Sequence, residues 1–139
     1  MIIVDRGVWA DYFVGNKTDQ VLKLDQMLGR VQIGTSELIY TDVLRGFVDE
    51  KDFDTAKKLF ALLTELKMVS PRIALKSAEF SRQLRDMGIS VRNTLDLMIA
   101  TYCIDNGYPL LYTGRNFVHF ESHLGLVNAL DMELHRKAS

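Results

Sequence analysis

Three aspartates, each on a different kind of segment, are the residues of this chain best suited to act together chemically. Asp5 follows the unbroken β-branched run Ile2-Ile3-Val4, Asp42 lies among Leu38, Ile39 and Val43, and Asp96 opens the apolar body Leu95 to Ile104. Carboxylates gathered in a dry site cannot all stay ionised, so a hard divalent cation, Mg²⁺ or Mn²⁺, is their natural compensation. A cation so held generates hydroxide and stabilises a phosphoryl transition state. Each acid also has a plainer reading. Asp42 can pair with Arg45 at i+3, and Asp96 can be an N-terminal helix acid, stabilised by about 0.3–1 kcal/mol.

The elements that must position these acids follow from local pattern. Ile2 to Val4 suits a strand buried on both faces of a parallel sheet, which carries Asp5 to the crevice at the strands' carboxyl ends. Gly7 ends that strand, and Val8 to Val14 is expected to be helical, followed by a loop to Asp19 and a helix from Gln20 to Leu28. Val31-Gln32-Ile33 is the expected second strand, with Gly34-Thr35-Ser36 as a turn into a helix from Glu37 to Phe47. Asp49 to Asp54 reads as an acidic helix start, and an amphipathic helix is expected from Thr55 to Leu66. Met68-Val69-Ser70 is expected as a brief strand.

Pro71 opens the next helix, which Gly88 ends. Its basic residues Arg72, Lys76, Arg82 and Arg85 read as a solvated face. Asn93 or Thr94 caps the helix that carries Asp96, and Asp105-Asn106-Gly107 closes it. Pro109 to Thr113 is a further buried strand leading into the loop Gly114-Arg115-Asn116-Phe117. Val118 to Leu124 is a short helix or turn, where His119 and His123 share a face without a third zinc ligand. Leu126 to Leu130 is the expected last strand. Residues 1–130 thus form one domain, and residues 131–139 a polar C-terminal tail.

The bulk numbers narrow the classes. A chain of 139 residues, 47% hydrophobic and 25% charged, makes one packed domain. A formal net charge of −1 excludes bulk electrostatic capture of nucleic acid or an anionic membrane. Cys103, the single cysteine, fits a reducing cytosol and an inert buried thiol. Neither a signal peptide nor a membrane-spanning stretch is expected.

Four blocks taken in order, Ile2-Ile3-Val4-Asp5, Glu37 through Gly46, Asp96-Leu97-Met98-Ile99-Ala100-Thr101 and Leu110 through Phe117, resemble the PIN-domain family, in particular the VapC-like toxins of bacterial toxin–antitoxin pairs. The resemblance spans about the whole chain. It implies a three-layer α/β/α fold with a mostly parallel central sheet, and a Mg²⁺- or Mn²⁺-dependent endoribonuclease acting on RNA. It also implies a homodimer, and an antitoxin protein that reaches into the acidic site. Asp5 and Asp96 match the family's first and third acids, and Asp42 stands where glutamate is usual. Gly114 and Asn116 stand where further acids are expected, and Arg6 and Gly7 where the family usually has small hydroxyl or amide residues.

These departures gather at the site and spare the scaffold. Fewer acids, with the Arg6 cation beside Asp5, predict weak divalent binding and a nuclease weakened or abolished. Arg6 either pairs with the acids or points outward to RNA phosphate. The alternative to an enzyme is an inactive PIN scaffold that keeps its antitoxin or dimer surface, its acids neutralised by Arg6. A receiver-like or nucleotide-binding α/β domain fits less well, since the chain has no phosphate-binding glycine-rich loop.

Overall fold

A computed structural model describes residues 1–134, in which four strands and seven α-helices are arranged around one parallel sheet. Strand β1 (Ile2–Val4) leads through α1 (Arg6–Val14) and α2 (Asp19–Met27) to β2 (Ile33–Thr35). Helices α3 (Glu37–Leu44) and α4 (Glu50–Ala61) then connect to β3 (Thr64–Glu65). Helices α5 (Pro71–Asp86) and α6 (Thr94–Asn106) return the chain to β4 (Leu110–Leu111), and α7 (Val118–Leu124) follows. The strand order is β3-β2-β1-β4, with every pairing parallel.

This order explains the layers. From β1 the chain steps twice in one direction, to β2 and β3, and then crosses back past β1 to β4. Right-handed crossovers place the connections of opposite steps on opposite faces of the sheet. Accordingly α1 packs on α2 and α3, and α3 on α4, while α5 packs on α6 and α7. The three-layer α/β/α architecture follows. The reversal falls between β1 and β4, and a crevice opens there above the strand ends. Asp5 is the residue that β1 delivers to it.

Both faces bury apolar side chains against the sheet. Ile3, Val4, Leu110 and Leu111 are fully buried, as continuous apolar strands covered on both sides must be. On one face Trp9 meets Phe13 at 5.9 Å and Phe60 at 5.2 Å between ring centroids. Near β4, Tyr112, Phe117 and Phe120 form a second aromatic group. Cys103 is buried in this core, and burial pushes its thiol far above the ordinary range, so an inert cysteine is what the fold makes of it.

Several element boundaries differ from expectation. Helix α1 begins at Arg6, and Gly7 lies in its first turn. Helix α3 stops at Leu44. The largest revision is at β3: the helix expected to run to Leu66 ends at Ala61, and Thr64–Glu65 pairs with Gly34 and Thr35. Met68-Val69-Ser70 is not a strand; Ser70 caps α5 through Ile73 N–H at 3.1 Å. The second strand is shifted onto Gly34 and Thr35, and a Cβ at Gly34 would lie 2.5 Å from Leu66 Cδ1. That glycine serves a close approach across the sheet, not a turn.

After α7, Leu110 forms a single parallel bridge with Asn128, and a 3₁₀ turn follows at Ala129–Asp131 in place of a full strand. Met132 and Leu134 pack against the core, and the Lys23 ammonium donates to the Met132 carbonyl. The remainder of the expected polar tail, residues 135–139, lies outside the described residues.

Candidate functional site

The site is built from the carboxyl ends of β1 and β4 and the first turns of α1 and α6, with α3 at its rim. Asp5 directly follows β1 and is the N-cap residue of α1; its side chain makes no capping hydrogen bond. It is 5% exposed, and Oδ1 has no hydrogen-bond partner among the described residues. Burial, with the Asp96 charge added, raises its pKa to about 6, against the opposing pull of Arg6 and the Gly7 backbone N–H. Gly7 allows the first turn of α1 to approach Thr113, whose Cγ2 would lie 2.9 Å from a Cβ at that position.

Asp96 occupies the first turn of α6, where Asn93 Oδ1 accepts from its backbone N–H at 3.1 Å. The expected cap is thus Asn93. Asp96 is 2% exposed, and both of its carboxylate oxygens are engaged. Arg6 Nη2 donates to Oδ1 at 2.9 Å, and Asn116 Nδ2 donates to Oδ2 at 3.1 Å. Burial raises its pKa, Arg6 and Asn116 pull it down, and the Asp42 charge adds to the rise. Burial dominates.

Asp42 completes the group from α3. Its Oδ2 lies 3.6 Å from Arg6 Nε, and its Oδ1 accepts from Arg45 Nε at 3.1 Å. Both sequence readings of Asp42 are therefore realised at once: it pairs with Arg45 and it faces the other acids through Arg6. Arg6 points inward, with a side chain only 19% exposed, not outward to solvent. Gly114 sits in the β4–α7 loop at φ 79 with open space where a side chain would project.

The residues present do not fit a divalent cation. A guanidinium lies between two of the three acids, Gly114 supplies no oxygen donor from its side chain, and Asn116 spends its amide on Asp96. Among the described residues no three acid, histidine or cysteine side chains are arranged to hold a metal ion. His119 and His123 stack at 6.2 Å between ring centroids without such company.

Beside Asp96 opens a cavity of about 280 Å³, lined in part by Arg92, Asn93, Arg115, Asn116 and His119. Sequence reasoning did not single out Arg92; its place beside the Asn93 cap was the available signal. The basic face of α5 is partly consumed by its neighbour, since Arg72 and Lys76 pair with Asp105 of α6 at 2.7 and 2.9 Å.

Residues 2–122 match the model of the PIN domain, and the chain belongs to that family. No curated protein matches the sequence. Among solved structures, the fold is similar to a chain of VapBC2 from Rickettsia felis bound to a DNA fragment from their promoter. That match has a TM-score of 0.71 at 16% identity, covering 92% of this chain and 97% of the other. It is also similar to VapBC-1 from nontypeable Haemophilus influenzae (TM-score 0.67, 18% identity, 91% and 96% covered). For FitAcB from Neisseria gonorrhoeae the TM-score is 0.66 at 14% identity, with 94% and 98% covered. At these identities the likeness is one of fold.

Proposed function

We propose that this chain is a VapC-like PIN-domain toxin of a toxin–antitoxin pair whose endoribonuclease activity on RNA is weakened or abolished. The observation that carries the reading is at Asp96. The fold still brings Asp5 and Asp96 together, buried in the crevice above β1 and β4, yet Asn116, where the family resemblance expects an acid, donates an amide to Asp96. The scaffold of a hydrolytic site is kept and its anionic charge is depleted. Asp5, Asp42 and Asp96 are the residues assigned to catalysis and to Mg²⁺ or Mn²⁺, and any binding of that ion is weak. Arg6, Gly7, Gly114 and Asn116 are the altered positions.

A protein antitoxin and a second copy of the chain are the partners this reading assigns, in the cytoplasm. The similar folds in VapBC assemblies support the first. Among the described residues no helix is long and apolar enough to cross a membrane. A second reading, an inactive PIN scaffold that only binds partners, is favoured by the ion pair between Arg6 and Asp96.

Cleavage of a fluorogenic RNA in Mg²⁺ and in Mn²⁺ separates the two. The comparison is between the natural chain and a variant carrying Asp42→Glu, Gly114→Asp and Asn116→Asp. Aspartate at residue 114 has room, and it tolerates a left-handed backbone better than most residues. Activity of the natural chain, abolished by Asp5→Asn and by chelator, establishes the enzyme. Activity only after restoration establishes a sound scaffold with a disabled site, and silence from both selects the binding scaffold.

A further inference from the structure

We infer that Arg6 is the resident cation of this acid cluster: its guanidinium bridges Asp96 and Asp42 and replaces a divalent ion as the charge that lets the crevice fold. The inference rests on reading the three aspartates as a former metal site, and it concerns what now holds them together.

Three observations support it. The first is position. Arg6 is the first residue of α1, where the helix dipole disfavours a cation, so local structure offers no reason for a positive side chain there. The second is burial. With 19% of its side chain exposed, the guanidinium has lost most of its hydration, and such a charge persists only when paired and hydrogen-bonded. It is paired twice, by a 2.9 Å hydrogen bond to Asp96 Oδ1 and at 3.6 Å to Asp42 Oδ2.

The third is occupancy. Asp96 gives one oxygen to Arg6 and the other to Asn116, so both of its oxygens already have donors from the protein itself. A divalent ion at Asp96 Oδ1 would share that oxygen with a like-charged group already hydrogen-bonded there, and so would bind only against its repulsion. The planar fork of arginine suits such bridging between carboxylates, whereas a compact ammonium would serve one of them. The substitutions at residues 6 and 116 are thus complementary: one brings a cation in, the other removes a charge that the cation would have to offset.

The test is thermal unfolding of the full chain in EDTA and in about 10 mM Mn²⁺ or Mg²⁺, where a site occupied in the folded state raises Tm by mass action. The natural chain is expected to melt at the same temperature in all three buffers. Arg6→Gln is expected to melt about 5–10 °C lower in EDTA and to regain at least half of that loss in Mn²⁺. The double variant Arg6→Gln with Asp96→Asn removes the orphaned charge, so it should recover in EDTA and lose the Mn²⁺ response. If Arg6→Gln folds only in Mn²⁺, the inference is supported. If it folds in no buffer, the double variant decides, and its failure to fold overturns the inference.

A rise of several degrees for the natural chain in Mn²⁺, or no loss for Arg6→Gln in EDTA, also overturns it. The RNA assay reads a different property. Cleavage after restoration, in a chain whose natural form takes up Mn²⁺, leaves the toxin reading standing and removes only the counter-ion.

Discussion

Helix α6 carries an aspartate paired with arginine at each end, and the two behave oppositely. Asp105, in the last turn, is held by the largely exposed Arg72 at 2.7 Å and by Lys76 at 2.9 Å, and its pKa falls to about 2. Asp96, in the first turn, has an equally short contact to Arg6 and a favourable end of the helix dipole, yet its pKa rises. The difference is water. At Asp105 the side chain is 13% exposed and meets two cations, of which Arg72 is 73% exposed, so pairing outweighs burial and favours the ionised acid; at Asp96, 3% exposed, the cost of burial exceeds what Arg6 and Asn116 return. An ion pair near the surface reports little about the fold, whereas one in the crevice is part of its structure.

That contrast can be broken most forcefully at Arg6. Arg6→Gln leaves Asp96 and part of Asp42 without a counter-charge, and chemical denaturation in EDTA at pH 7.5 should show a loss of about 3 kcal/mol. A loss no greater than that of a surface substitution would place the crevice pair in the same class as the Asp105 pair.

The next effect has the opposite sign. Asp5 binds its proton more tightly in the folded state, at a pKa of about 6 against an ordinary 3.8. Between those values the folded protein holds more protons than the unfolded, so stability falls as pH rises and the full penalty is present above pH 6. Asp5→Asn should therefore stabilise the chain by up to about 3 kcal/mol at pH 7.5 in EDTA, with a much smaller difference at pH 4. Urea melts of both proteins across that range give the difference directly. A pH-independent difference would show that Asp5 binds its proton no more tightly in the folded state than in the unfolded.

Smaller still is Gly7→Ala. The new methyl would crowd Thr113 Cγ2 at 2.9 Å and cost about 1 kcal/mol, and Thr113→Ser should relieve most of it in the double variant. At the far end of the scale, Arg72→Gln should leave Tm unchanged in physiological salt, because Lys76 still faces Asp105 and the side chain removed is itself 73% exposed.

Much of the site was legible before the fold was known, because it is local in origin. The β-branched run ending at Asp5, the Asn93 cap ahead of Asp96 and the i+3 pair of Asp42 with Arg45 are all short-range patterns. The direction of Arg6 was not, since two opposite placements of one long side chain fit the same residues, and only Asp96 arriving from ninety residues away selects between them. The sheet shows the same division. Ile2–Val4 and Leu110–Leu111 carry the apolar strand signal, but Thr64–Glu65 does not: it extends a helical pattern with no glycine or proline to stop it. Pairing with Gly34 and Thr35 overrides that local preference. Gly34 misled for a related reason, as a strand glycine there to admit Leu66 looks like a turn glycine until the neighbour is known.

The position of β1 has a consequence for how the protein is made. Ile3 is paired on one side with Gly34 and on the other with Leu110, so β1 is completed by β4, the last of the sheet's four strands to be synthesised. As the chain leaves the ribosome, β1, β2 and β3 can zip together early, while the other edge of Ile2-Ile3-Val4 stays bare until β4 emerges. A bare apolar edge is a template for the wrong partner. Asp5 and Arg6 stand at its end, two opposite charges beside an otherwise adhesive strand, the kind of charged flank that discourages wrong pairing. The residues that close the crevice in the finished protein thereby protect the nascent one.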